Sequence, residues 1–343
     1  MRLKQRIKVL IVDDSLVFRE SLSREIAKDP DIEVVGTATD PYMARDLIIK
    51  LKPDVLTLDV EMPKMNGIEF LKKLMPQYPL PVIVVSSVSQ NVLDALDAGA
   101  VEFVTKPNVT RPGGMASFVN ELIIKIKIAS TAKVGNRKSD YTPSRPVTSQ
   151  GIDTMSKISA IGASTGGTDA IHTVISGLPR DMPPIVIVQH MPPVFTKLYA
   201  ERLNNTCELE VKEAEDGDAL RPGRVLIAPG NYQMRVAKRG SGYIVKCTQE
   251  EKVSGHCPSV DVLFDSVADV VGKQAVGVIL TGMGRDGANG LLKMKKTGAY
   301  TIGQDEKSSV VYGMPMVAFN IGAVEKQLPL DRIDDEIIRF LSK

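Results

Sequence analysis

The stretch KVLIVDDS, residues 8–15, decides the fold of the N-terminal half. Its β-branched apolar run has the length of a strand and ends on two carboxylates, Asp13 and Asp14. Working outward, similar runs recur as EVVGTA (33–38), DVLTL (54–58), PVIVV (81–85) and VEFVT (101–105). Segments of helical period lie between them, and the last places Phe118, Leu122 and Ile126 on one face. Five strands alternating with helices predict a parallel, doubly wound α/β sheet. The alternation resumes with ISAIG (158–162), PPIVIV (183–188) and AVGVIL (275–280), the last followed by the helix-like ANGLLKMKK (288–296). A second, mainly parallel α/β domain is therefore expected. RVLIAP (224–229) and GYIVKC (242–247) are expected to be hairpin-type insertions in it.

At 343 residues the chain has room for two domains. Lysine and arginine number 43 against 41 acidic residues, a balance that excludes a chain built mainly to coat nucleic acid or an anionic membrane. With 43% hydrophobic and 24% charged residues the composition supports two cores and excludes disorder throughout. The three cysteines, Cys207, Cys247 and Cys257, form no C-x-x-C pair, so neither a disulfide framework nor a zinc knuckle is expected. A reducing, cytoplasmic compartment fits that usage. The N-terminus starts basic, but its apolar core is too short for a signal peptide. No apolar run approaches the ~20 residues of a membrane span. Residues 130–157 are rich in Ser, Thr, Pro and basic residues and are expected to be a flexible linker. The expected division is thus 7–128, a linker over 129–156, and 157–343. The portion 152–343 carries 22 basic and 23 acidic residues, a poor match to a nucleic-acid-binding effector.

Asp13 and Asp14 follow the first strand, Asp59 follows the third, Ser86 ends the fourth, and Lys106 follows the fifth. In a parallel α/β sheet these strand ends converge on one crevice. Clustered carboxylates repel one another unless a cation joins them, and their oxygens suit Mg²⁺. Lys106 adds a point charge able to pair with Asp59 or with phosphate oxygens. Such a set fits phosphoryl transfer to a carboxylate. Any one strand-end aspartate is more often a loop or cap residue; the argument rests on the set.

In the C-terminal half, IGASTGG (161–167) puts Ser164 at a strand-to-helix turn, where small neighbours allow a sharp bend and helix N–H groups face an oxyanion. The bland alternative is a glycine turn with Ser164 as helix cap. Three histidines exist. His172 lies within the following helix as a surface or packing residue, and His256, in SGHCPS (254–259), is expected to be an exposed loop residue. His190 ends PPIVIVQH, so a neighbouring strand would carry it to Ser164 as general base. Asp286, in the loop TGMGRDGANG after another strand, supplies a carboxylate to orient the imidazole. The order Ser, His, Asp differs from that of the α/β-hydrolases. Gly282, Gly284 and Gly287 also imitate a dinucleotide fingerprint, but the chain remaining after Asp305 is too short for the rest of such a domain.

Residues 7–128 resemble two-component receiver domains, through Asp13/Asp14, Asp59-Val-Glu-Met-Pro, Ser86 and Lys106-Pro107. The resemblance implies that Asp59 is the phosphoacceptor and that Asp13, Asp14, Asp59 and the backbone carbonyl of Glu61 hold Mg²⁺. It makes Ser86, Phe103 and Lys106 the phosphate-switch residues and gives Gly67 the tight turn after the acceptor loop. Residues 157–343 resemble the catalytic domain of chemotaxis protein-glutamate methylesterases, through GASTGG, VIVQHMPPVFT, PSVDVLFDS, LTGMGRDGANG and EKSSVVYGMP. That resemblance implies a Ser164–His190–Asp286 triad without a cofactor, with Thr165 and Met283 at the oxyanion border. It further implies demethylation of chemoreceptor glutamate esters with release of methanol, and deamidation of selected receptor glutamines. The partners implied are a histidine kinase as phosphodonor and the cytoplasmic helices of methyl-accepting chemoreceptors. No nucleic acid, no membrane insertion and a monomeric state are expected, and an unphosphorylated receiver would mask the active site. Gln233 and Cys257 depart from the family pattern, which usually has histidine and arginine there. Two alternatives remain at this point: a receiver-linked DNA-binding regulator and a non-catalytic receptor-binding scaffold.

Overall fold

The structure, a computed structural model, describes residues 5–87, 89–107, 114–135 and 156–342. The chain divides into two compact units, Met1–Arg137 and Lys138–Lys343. Of the linker expected over 129–156, residues 136–155 lie outside the described residues.

The first unit runs β1 (Ile7–Val12), α1 (Leu16–Ile26), β2 (Ile32–Ala38), α2 (Pro41–Leu51), β3 (Val55–Asp59), α3 (Gly67–Leu74), β4 (Val82–Ser86), α4 (Ser89–Asp97), β5 (Glu102–Thr105) and α5 (Gly114–Ala129). Its five strands are all parallel, in the order β2-β1-β3-β4-β5. Helices begin where the sequence places caps: Ser15 Oγ accepts from Phe18 N–H, and Asp40 accepts from Tyr42 and Met43 N–H ahead of Pro41. The Phe118, Leu122 and Ile126 face of α5 is buried against Val9, Ile11, Leu22 and Ile26, as the helical spacing predicts. Gly67 is required by close approach: a Cβ there would lie 2.2 Å from the carbonyl oxygen of Asp59.

The second unit runs β6 (Ile158–Ala163), α6 (Gly167–Ser176), β7 (Ile185–Gln189), α7 (Phe195–Thr206), β8 (Glu210–Glu213), β9 (Arg224–Ile227), β10 (Gln233–Arg239), β11 (Gly242–Thr248), α8 (Val260–Val270), β12 (Ala275–Ile279), α9 (Ala288–Lys296), β13 (Tyr300–Gln304), α10 (Met314–Asn320), β14 (Lys326–Leu328) and α11 (Ile333–Leu341). Seven strands form one parallel sheet in the order β14-β13-β12-β6-β7-β9-β8, and β10 and β11 form an antiparallel hairpin. One expectation is corrected. RVLIAP is not a hairpin arm: β9 lies inside the large sheet, parallel to both β7 and β8. Val225, Leu226 and Ile227 are all fully buried, which suits a strand covered on both faces rather than the alternating arm of a hairpin. GYIVKC does form a hairpin, as β11.

Both sheets share one topological feature. From β1 the chain steps outward to β2 and later returns on the other side as β3; from β6 it steps to β7 and returns as β12. Crevices open at the carboxyl ends of strands where the winding reverses, and ligands bind there. The two candidate sites lie at these two points. Among the described residues no helix is long and apolar enough to cross a membrane.

Candidate functional site

In the first unit the reversal brings Asp13 and Asp14, just past β1, beside Asp59 at the end of β3. One carboxylate oxygen from each lies within 4.8 Å of the others. Lys106 reaches in from beyond β5, its Nζ 2.6 Å from Asp59 Oδ2 and 2.9 Å from Asp13 Oδ2. The Lys106 ammonium lies over the Phe18 ring, 5.0 Å from its centroid. Asp59 Oδ1 accepts the Glu61 N–H at 3.1 Å, which fixes the loop whose carbonyl was expected to serve a cation. Ser86 is buried at the end of β4, and Lys106 N–H donates to its carbonyl. Phe103 is buried on β5, where Lys125 donates to its carbonyl at 2.5 Å and sits 4.9 Å from its ring centroid.

One ammonium cannot balance three carboxylates. Burial pushes Asp59 up to about 6; Lys106 pulls it down and the charge of Asp13 adds to the rise. The site therefore carries an unmet demand for positive charge, and its donors are hard oxygens of the kind Mg²⁺ takes. This has a consequence for stability. Folded Asp59 holds its proton to about pH 6, whereas an unfolded aspartate loses it near ~3.9. Between those values the folded state binds more protons, so in metal-free buffer stability falls as pH rises from about 4 to about 6. Calorimetry of the full chain in EDTA is expected to show Asp59→Asn removing that dependence. At pH 7.5 the receiver transition of the variant is expected to be stabilised by on the order of 2 kcal/mol.

In the second unit the reversal brings together the ends of β6, β7 and β12. Ser164 lies one residue beyond β6 and His190 one beyond β7. The strands are in register to Ala163 opposite Gln189, and His190 N–H donates to the Ala163 carbonyl at 3.1 Å. Ser164 N–H donates to Thr281 O at 3.0 Å, tying the serine turn to the end of β12. Gln189 Nε2 donates to the carbonyls of both Ser164 and His190. The glycine of the β12 loop has a steric reason: a Cβ on Gly282 would lie 2.7 Å from Ser164 Cβ. At the start of α6, Gly166 adopts φ 74° and no side chain caps the helix.

His190 Nε2 is 2.8 Å from Asp286 Oδ2, and its side chain is only 8% exposed. Nδ1 is buried without a hydrogen-bond partner among the described residues. Asp286 itself sits at the opening of α8. Its Oδ1 accepts from Ser259 Oγ at 2.7 Å and Asp261 N–H at 3.1 Å, and its Oδ2 from Val260 N–H at 2.7 Å. Burial alone would raise this carboxyl, but the bonds from His190, Ser259 and Val260 outweigh it and hold it below the ordinary range. It is an ionised group aimed at an imidazole and fixed by three further donors.

Thr165 is buried, and its carbonyl accepts from Thr281 Oγ1 at 3.0 Å; Met283 is 43% exposed. His172 lies exposed on α6, as expected. His256 differs from expectation. It is half-buried, and its ring stacks on that of His190 with centroids 3.7 Å apart and planes 5° from parallel. Gln233, a departure from the family pattern, is fully buried: Nε2 donates to the carbonyls of Glu251 and His256, and Oε1 accepts from Ser259 N–H. Cys257 is half-buried, and burial pushes its thiol up. Ser259 carries the one signal that points to the carboxylate clamp, a helix-cap serine directly before an apolar run.

Comparison with known proteins agrees with both halves. The family model described as CheB methylesterase matches residues 159–337, and the one described as response regulator receiver domain matches residues 9–112. A protein-glutamate methylesterase/protein-glutamine glutaminase 2 of Syntrophomonas wolfei is 58% identical over 343 residues, covering 100% of both chains. A protein-glutamate methylesterase/protein-glutamine glutaminase of Syntrophotalea carbinolica is 52% identical over 348 residues, covering 99% of each. The crystal structure of the Thermotoga maritima CheB methylesterase catalytic domain matches with a TM-score of 0.52 and 41% identity, covering 53% of this chain and 97% of that one.

Proposed function

The chain belongs to the CheB methylesterase family, in its form with a response regulator receiver domain, and from that premise we propose how its residues perform the activity. The protein is a phosphorylation-activated hydrolase of chemotactic adaptation. It removes methyl esters from chemoreceptor glutamates and deamidates receptor glutamines.

Ser164 is the nucleophile, His190 the base and Asp286 the group that holds the base. Because Nε2 of His190 is committed to Asp286, Nδ1 is the nitrogen that takes the serine proton. Ser164 Oγ adds to the side-chain carbonyl, and the imidazolium then protonates the departing methoxide, which leaves as methanol. Water, deprotonated by the same nitrogen, opens the acyl-enzyme to a free glutamate. With a glutamine side chain the leaving group is ammonia and the sequence is otherwise the same. Thr165 and Met283 border the carbonyl oxygen, next to the uncapped start of α6. The observation that carries this reading is the 2.8 Å contact between His190, just past β7, and Asp286, in the loop after β12, the two strands that flank β6 and Ser164.

In the receiver, Asp59 accepts the phosphoryl group from a histidine kinase, and Lys106 and Ser86 meet its oxygens. Asp13, Asp14, Asp59 and the Glu61 carbonyl would hold Mg²⁺. When bound, the ion neutralises charge on the transferring phosphoryl oxygens. Residues 7–128 form the receiver, 157–343 the catalytic domain and 129–156 the linker. The substrates are cytoplasmic helices of methyl-accepting receptors, and the chain works as a cytoplasmic monomer without nucleic acid. A small phosphodonor with Mg²⁺ is expected to raise methanol release from methylated receptor by tenfold or more. EDTA or Asp59→Asn is expected to return it to the basal rate. Stimulation that survives Asp59→Asn would place the acceptor elsewhere.

A further inference from the structure

A single hydrogen bond fixes one point of an imidazole. His190 has its Nε2 on Asp286 and, among the described residues, no hydrogen bond at Nδ1. The covalent Cβ–Cγ bond and this one contact still let the ring tilt about Cβ–Cγ, which would change where Nδ1 points, and a flat surface pressed against a ring face opposes that tilt. The His256 imidazole is such a surface, parallel to within 5° at 3.7 Å.

We propose that His256 is a positioning residue whose imidazole, lying flat on that of His190, fixes the ring plane of the base so that Nε2 stays on Asp286 and Nδ1 stays presented to Ser164. The proposal rests on the reading of His190 as the base. The plate is itself anchored by main chain. His256 and Val253 exchange N–H···O bonds at 2.9 and 3.0 Å, and Asn231 N–H donates to the Cys257 carbonyl at 3.2 Å. The buried Gln233 amide bonds the carbonyl of His256 at 3.2 Å and, through its oxygen, the N–H of Ser259. One side chain thereby ties together the loop that carries the plate and the cap residue that holds Asp286. Burial, then the neighbouring His190 and more weakly Lys252, push His256 down to about 4, against the opposing pull of Asp286. The plate is therefore uncharged at neutral pH. It neither competes for the serine proton nor repels the imidazolium as it forms.

The test compares two replacements of similar bulk in the full chain, activated with phosphodonor and Mg²⁺ and assayed by methanol release. His256→Phe keeps a flat face and no titratable nitrogen; His256→Leu fills the space without a plane. We expect H256L to lower kcat by about 10- to 100-fold with KM within twofold, and H256F to stay within threefold of the parent, since small misplacements of a catalytic group cost this much. Nitrogen NMR of the His190 ring supplies a readout independent of turnover. A single Nε2–H tautomer is expected in the parent and H256F, and an averaged signal in H256L. An H256L enzyme with parental kcat overturns the proposal. So does an H256F enzyme as impaired as H256L, which would make His256 a proton carrier. Retention of activity by Ser164→Ala would instead sink the triad reading; dead Ser164→Ala beside unimpaired H256L would sink only the stacking proposal.

Discussion

Replacing Ser164 by alanine is expected to lower kcat for methanol release by roughly 10⁴- to 10⁶-fold and to leave stability unchanged. The size of the loss follows from the role proposed for Ser164: alanine has no side-chain oxygen to form the acyl-enzyme, while the main-chain N–H groups of the turn persist. The intact stability follows from how the serine is held. Its N–H donates to Thr281, and its carbonyl accepts from Gln189 Nε2 and from Gly167 N–H at 2.7 Å, all through main-chain atoms that alanine retains. The small side chain at that position also keeps its distance from Gly282, where space is already short. Deamidation of receptor glutamine is expected to fall in parallel, because ester and amide meet the same oxygen. Measured together on methylated and amidated receptor, the two losses test one site. Deamidation that persists while methanol release vanishes would require a second site.

Much of this arrangement was legible in the residues, for a topological reason. A parallel sheet gathers the carboxyl ends of its strands, so a reader who can find strands knows which residues meet. Asp13, Asp59 and Lys106 are separated in sequence by 46 and 47 residues, yet each directly ends or follows a recognisable strand. Ser164 and His190 follow the same rule, each one residue past its strand, whereas Asp286 lies seven residues beyond β12, in the glycine-lined loop before α9. What escaped is whatever depends on the path of a loop. His256 lies in a polar stretch without periodicity, and its loop is held over His190 in part by the fully buried amide of Gln233, 23 residues away in sequence. Nothing local in SGHCPS records that bond. In the sequence Gln233 is only a departure from the family pattern, whereas in the structure it is a buried clamp between the His256 loop and the Ser259 cap. The misjudged β9 has a different cause: a run of three buried apolar residues carries no period that separates an internal strand from a short arm.

The carboxylate clamp yields the second large effect. Asp286→Asn is expected to lower kcat by roughly 10⁴-fold and, unlike Ser164→Ala, to destabilise the catalytic domain by about 1–3 kcal/mol. Both oxygens of Asp286 act only as acceptors, each for two donors: His190 Nε2 and Val260 N–H on Oδ2, Ser259 Oγ and Asp261 N–H on Oδ1. An amide offers one oxygen and one NH₂. With its NH₂ towards His190, the ring must accept at Nε2 and so carry its proton on Nδ1, the atom needed as base. With its oxygen towards His190, the tautomer survives, but the negative charge that stabilises the imidazolium is gone, and the buried Asp261 N–H faces another donor. The opening turn of α8 also loses an anion at its positive end. The pH dependence separates these terms. The folded Asp286 carboxyl lies below the ordinary range, so its contribution to stability is fully present above about 4, where an unfolded aspartate is ionised, and fades as pH falls through the folded value. The stability gap between parent and D286N, read from urea unfolding at a series of pH values, is therefore expected to be constant from neutral pH down to about 5 and to narrow below about 4. A gap that persists undiminished in acid would assign the loss to packing, and a D286N enzyme within tenfold of parental kcat would remove Asp286 from the mechanism.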